Sequence, residues 1–120
     1  MKLGTDIIEI ERIETAVAKK AFAKRVFTTH ELSYAISRGK QRAASLAGIY
    51  AAKEAFVKAL GIGFRQGTIQ DIEVCRDDLG APFIRLSGVF NDIFRKGGFT
   101  TIEVSISHCR LYAVATVILA

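Results

Sequence analysis

Apolar and polar residues alternate through Leu3-Gly4-Thr5-Asp6-Ile7-Ile8-Glu9-Ile10, and this period of two predicts a first strand over residues 2 to 10. It puts Gly4, Asp6, Ile8 and Ile10 on one face and Leu3, Thr5, Ile7 and Glu9 on the other. Residues 11 to 25 change to Glu, Arg, Ala and Lys, which predicts a helix. Thr28-Thr29-His30-Glu31 has the form of a capping box and predicts a second helix from about Thr29 to Ser37. Residues 40 to 60 are rich in Ala and Leu, with Gly48 the only breaker, and predict the longest helix, stopped by Gly61-Ile62-Gly63. Beyond it, Ile69 to Cys75 and Pro82 to Leu86 read as strands around the turn Asp77-Asp78-Leu79-Gly80. Val89 to Arg95 reads as a short helix ended by Gly97-Gly98. Thr101 to Ser107 and Leu111 to Leu119 then close the chain as strands, through a tight turn at His108-Cys109-Arg110. This order predicts an α+β fold, with a largely antiparallel sheet packed against one long and several short helices.

Composition narrows the picture. Residues 1 to 120, 50% hydrophobic and holding one proline, fit a single domain small enough that oligomerisation would help to stabilise it. No apolar run is long enough to cross a bilayer and the first residues lack a secretory pattern, so a cytoplasmic protein without a membrane partner is expected. Cys75 and Cys109 form no metal-ligand cluster or disulfide framework, and both are expected to be reduced core residues. The formal charge of +5 favours an anionic partner. Arg12, Lys19, Lys20, Lys24 and Arg25 crowd the early helical region, where the ordinary reading is a solvated face.

Four places along the chain could carry chemistry. Asp6 shares a strand face with isoleucines, so its carboxylate should meet a cation, a donor or a metal. Tyr50, Glu54 and Lys58 are spaced by four along one stripe of the long helix, with Gly61 continuing it. A surface Glu54–Lys58 ion pair is the plain explanation. The functional one has Glu54 ligating a hard cation while Lys58 reaches a phosphate oxygen bridged by that cation. His108 ends a strand and could donate to an anion or exchange a proton. Gly61-Ile62-Gly63 could bring backbone N–H groups to a phosphate, although a helix C-cap explains it equally well.

Together these segments resemble the bacterial holo-acyl-carrier-protein synthases, the small class of phosphopantetheinyl transferases. The matching elements are Gly4-Thr5-Asp6-Ile7-Ile8-Glu9-Ile10 with Arg12-Ile13, Phe27-Thr28 with Glu31, Ala51-Ala52-Lys53-Glu54-Ala55 with Lys58-Ala59-Leu60-Gly61, Gly80-Ala81-Pro82, and Ser105-Ile106-Ser107-His108 with Tyr112-Ala113. The resemblance implies transfer of the 4′-phosphopantetheine arm of coenzyme A to a serine of an apo acyl carrier protein, releasing adenosine 3′,5′-bisphosphate, and with it a place in fatty acid biosynthesis. By position, Asp6 and Glu54 would hold Mg²⁺. Lys58 and His108 would contact the phosphates and complete the catalytic set, while Lys53, Gly61 and Ser107 would lie against coenzyme A. Arg12 with Lys19, Lys20, Lys24 and Arg25 would receive the acidic carrier protein. The resemblance also implies a homotrimer with sites shared between subunits. Many relatives carry Arg-Phe where this chain has Ile49-Tyr50, so the contact that cation would make with coenzyme A phosphate or a neighbouring subunit would be either absent or supplied elsewhere, for example by Arg42 or Arg65.

Two other readings compete: a basic module binding nucleic acid through the Arg12 to Arg25 cluster, and an inactive relative that binds the carrier protein without modifying it. The first leaves Asp6 and Glu54 unexplained and has no RNP-type aromatic pattern or zinc-ligand spacing behind it. No nucleic-acid partner is expected.

Overall fold

The alternating opening forms strand β1 (Lys2–Glu9) in the computed structural model, which describes residues 1–62 and 68–120. The observed faces are the expected ones: Gly4 is buried and Asp6 and Ile8 are half-buried, whereas Leu3, Thr5, Ile7 and Glu9 face outward. β1 pairs antiparallel with β5 (Tyr112–Leu119), which pairs in turn with β4 (Ile102–His108), giving the order β1-β5-β4.

Where one helix was expected over residues 11 to 25, two form: α1 (Ile10–Val17) and α2 (Lys20–Val26), broken at the extended Lys19. The phase of the apolar residues explains the break. Ile10, Ile13 and Val17 fall on one stripe, but at about 100° per residue Phe22 and Val26 would lie on the opposite side of a continuous helix. Turning the chain at Lys19 lets both groups reach the core. α3 (Thr29–Ser37) starts on the expected capping box, with Glu31 N donating to Thr28 Oγ1 at 3.1 Å and Thr28 N donating to Glu31 Oε1 at 2.8 Å.

α4 (Arg42–Leu60) follows a 3-10 turn at Gly39–Gln41 and ends at Gly61, whose φ of 79° is the left-handed cap that glycine adopts without strain. It lies across the inner face of the three-stranded sheet. Gly4 permits this contact, because a Cβ there would stand 2.0 Å from the Ala55 carbonyl oxygen. Between Leu46 and Ala59, Tyr50, Glu54 and Lys58 are the only α4 residues that are not buried. A helix apolar on nearly all sides belongs in the interior, and Leu46, Ile49 and Phe56 sit in the core with Val117, Leu119 and Phe90 of α5 (Gly88–Lys96).

The predicted single sheet is divided. β2 (Ile72–Arg76) and β3 (Pro82–Leu86) form a separate antiparallel hairpin. One cause is visible on β2: the Val74 N–H donates to Glu31 Oε2 at 2.8 Å, so a side chain takes a donor that could have joined a further strand. The strand expected from Ile69 begins at Ile72, because Ile69–Asp71 form a 3-10 turn capped by Thr68, whose hydroxyl accepts from Gln70 N at 3.1 Å. No described helix is long and apolar enough to cross a membrane.

Candidate functional site

Asp6 and Glu54, 48 positions apart, are brought together at one cavity. β1 holds Asp6 on the face toward α4, and α4 presents Glu54 on its single open stripe. Both line a cavity of about 490 Å³ with Arg12, Phe22 and Tyr50. Burial, first, pushes the Glu54 carboxyl above the usual carboxylate range; the charge of Asp6 adds to this, whereas Tyr50 and Lys58 oppose it. The Tyr50 phenol is pushed up to about 12 by burial and by Glu54, so it stays protonated. Its ring rests on Phe22 with centroids 6.2 Å apart.

Lys58 belongs to the same group by a different contact from the expected one. Its Nζ lies 2.9 Å from Asp6 Oδ1 and donates to the Thr5 carbonyl at 3.1 Å, whereas no ion pair to Glu54 forms among the described residues. With its side chain 55% exposed, the ammonium remains open to a ligand.

The register places His108 opposite Ala113, which pairs with Ile8, so His108 is on the same sheet face as Asp6 but two strands away, exposed and outside the cavity. Ser107 pairs with Val114, the partner of Ile7, and therefore faces the outer side of the sheet. Arg12 stands at the cavity, and Lys19, Lys20, Lys24 and Arg25 are all exposed on α2 and the turn before it.

Several expectations need correction. Lys53 does not face the cavity: it is fully buried, with its Nζ 2.8 Å from Glu31 Oε1. It is the one amino group on α4 turned to the interior, so a ligand has no access to it. The Gly61 N–H is taken up by the Val57 and Lys58 carbonyls at 3.1 Å, so the donor read as available to a phosphate caps the helix instead. Cys75 is buried and free as expected, but Cys109 is free and exposed, because the chain leaves β4 at His108 and carries it into the turn. Backbone N–H groups of Leu111 and Tyr112 pull its thiol below the usual range. Ile49 is a core residue, 1% exposed, and offers no cation. Arg42 lines a different cavity, with Glu14 and Lys40, while Gly63 and Arg65 lie outside the described residues.

Sequence reasoning gave Tyr50 no role beyond its place on the stripe and read Glu31 only as half of a capping box. The capping box was the only signal the sequence carried for Glu31, because its partner Lys53, 22 positions later, is set by tertiary packing.

The profile of the 4′-phosphopantetheinyl transferase superfamily matches residues 2–117. A holo-[acyl-carrier-protein] synthase of Vibrio parahaemolyticus is 48% identical over 120 residues, covering 98% of this chain and 94% of the relative. The crystal structure of holo-[acyl-carrier-protein] synthase from Neisseria meningitidis superposes with a TM-score of 0.89 at 31% identity, covering 99% of this chain and 97% of that one. That of the Bacillus anthracis synthase in complex with CoA (3′,5′-ADP) gives 0.80 at 36% identity, covering 98% and 94%.

Proposed function

The chain belongs to the 4′-phosphopantetheinyl transferase superfamily, as a holo-acyl-carrier-protein synthase, and from that membership we propose a magnesium-dependent transfer carried out at the Asp6–Glu54 cavity. The phosphopantetheine of coenzyme A passes to the serine hydroxyl of an apo acyl carrier protein, and adenosine 3′,5′-bisphosphate leaves. The observation that carries the site assignment is the open stripe of α4: on an otherwise buried run, Tyr50 and Glu54 line the cavity and Lys58 continues the stripe beside Asp6.

The donor set suits a hard cation. It consists of two carboxylates with no imidazole or thiolate beside them at the cavity, and burial, with the charge of Asp6 added to it, pushes the Glu54 carboxyl up, which a bound cation would oppose. No group of three or more His, Cys, Asp or Glu that could hold a metal occurs among the described residues. Mg²⁺ needs no such cage, since it takes one or two carboxylates and completes its shell with water and phosphate oxygens. Asp6 and Glu54 would hold the ion, and the chemistry it would supply there is charge neutralisation on the diphosphate.

The rest falls to the protein's own side chains. Asp6 is held by Lys58, and Lys58 by Asp6 and the Thr5 carbonyl, so an exposed ammonium stands beside the acidic pair to meet a phosphate oxygen. The serine oxygen forms its bond to phosphorus as the bond to the departing nucleotide breaks, and the serine proton goes to Glu54 or to water. No enzyme nucleophile is needed, because positioning and charge stabilisation are what phosphoryl transfer requires. In this reading His108, exposed at the end of the edge strand β4, contacts a phosphate of coenzyme A. Arg12 at the cavity and the exposed Lys19, Lys20, Lys24 and Arg25 form the cationic approach for an acidic carrier protein.

Self-association as a homotrimer, with sites shared between subunits, is supported by the outer face of the sheet. There Leu3, Ile7, Tyr112 and Val114 are exposed large apolar residues on the paired strands β1 and β5, with Ile7 directly opposite Val114. A cytoplasmic setting accords with the two free thiols. The test is to incubate the protein with coenzyme A, Mg²⁺ and an apo acyl carrier protein and to weigh the carrier. A gain of one phosphopantetheine that is lost on chelating the metal supports the proposal, whereas an unchanged carrier under conditions in which a known synthase modifies it refutes it.

A further inference from the structure

Lys53 and Glu31 are the only charged residues with fully buried side chains among those described, and the transfer described above uses neither. Their hydrogen bonding is complete. Lys53 Nζ has three protons and three acceptors: Glu31 Oε1 at 2.8 Å, the Val26 carbonyl at 2.9 Å and the Ile69 carbonyl at 3.3 Å. Glu31 in turn accepts from Thr28 N and Val74 N, each at 2.8 Å. Burial, first, pushes the Lys53 ammonium below the usual lysine range, while Glu31 opposes this and favours the charged form.

A buried ion pair is seldom a gain in stability over apolar side chains of similar volume. What this one does is geometric. Val26 ends α2 and Ile69 opens the 3-10 turn before β2, and both line a second cavity of about 500 Å³ with Phe22, Arg25, Tyr50 and Glu54. Two walls of that cavity are thus tied by their backbone to one ammonium, and that ammonium is borne by the residue next to Glu54. Gln70 adds an outer tie between the same walls, its side-chain amide donating to the carbonyls of Lys24 and of Phe27, the latter at 3.1 Å.

Building on the transferase reading, we infer that Lys53, held by Glu31, is a positioning residue: it sets the spacing of α2 and the Ile69 turn from the Glu54 stripe of α4, and so the width of the cleft that receives the substrates. The length and three-donor geometry of lysine are needed for this. Arginine would keep the charge and the Glu31 pair, but its longer planar fork cannot place three donors on the same three acceptors.

The test compares wild type with Lys53→Arg and Gln70→Ala, measuring carrier modification per folded molecule, coenzyme A affinity by calorimetry, and thermal unfolding. Gln70 is only partly buried, so its variant keeps the experiment decisive if the core substitution fails to fold. The expected result is a wild-type-like far-UV spectrum, kcat/KM per folded molecule lower by about tenfold in Lys53→Arg with most of the change in KM, and a smaller loss in Gln70→Ala. A loss above threefold in a folded variant supports the inference. A kcat/KM within threefold of wild type in every folded variant overturns it. Failure of the wild-type protein to modify the carrier would instead count against the transferase reading.

Discussion

Two carboxylates of this chain stand in opposite situations, and the difference follows from what each one meets. Glu31 is fully buried yet supplied with two backbone donors and an ammonium. Glu54 is half-buried beside Asp6 with only a phenol and a more distant lysine to oppose its burial. The first has all the counter-charge it needs, while the second has a deficit that a ligand can fill. The cysteines divide in the same way. Burial pushes the Cys75 thiol up, and backbone N–H groups pull the exposed Cys109 thiol down, so at neutral pH more of Cys109 is thiolate. A thiol reagent should therefore label one cysteine quickly in the native protein, at Cys109, and the second only after denaturation. Equal, rapid labelling of both would contradict this arrangement.

At the scale of elements, the site depends on how closely α4 lies on β1. Gly4 sets that distance. Gly4→Ala would drive a methyl group into the Ala55 carbonyl and the Ala59 amide, at 2.0 and 2.7 Å, and backbone cannot yield as a flexible side chain does. The expected loss of stability is about 1–3 kcal/mol or more, read as a lower midpoint in denaturant, and activity should fall further because Asp6 and Glu54 are pushed apart. Thr28→Ala removes the acceptor for Glu31 N and should cost about 1 kcal/mol, seen as a thermal midpoint lower by several degrees. Much at this scale was legible from the residues alone. β1 and its two faces, the capping box, α4 and its Tyr50-Glu54-Lys58 stripe all follow from local period and turn chemistry. The split of the sheet and the inward turn of Lys53 do not, because each depends on a partner distant in sequence, Glu31 for both Val74 and Lys53; the break at Lys19 is written in the apolar phase of Phe22 and Val26, a signal the helix-forming composition of residues 11 to 25 masks. Asp6 looked costly on its face and Glu54 ambiguous on its stripe. Only folding shows that they line the same cavity.

For the whole molecule, two surfaces point to partners of different kinds. In the proposed reading the exposed Lys19, Lys20, Lys24 and Arg25, with Arg12 at the cavity, suit an acidic protein. The outer sheet face, with Leu3, Ile7 and Val114 exposed on paired strands, suits further copies of this chain. Ile7→Asp should place a charge in the centre of that apolar face and leave the inner core untouched. The expected outcome is a smaller species than wild type by light scattering, with the far-UV spectrum unchanged; a wild-type-like mass would place the subunit contact elsewhere. The most direct test of the account is to titrate Mn²⁺, as a paramagnetic stand-in for Mg²⁺, into wild type, Asp6→Ala and Glu54→Ala in the presence of coenzyme A, following free ion by electron paramagnetic resonance. One site per chain in wild type, weakened at least tenfold by each substitution in a protein that stays folded, is the predicted result. Binding in either variant as tight as in wild type would contradict a shared cation at Asp6 and Glu54.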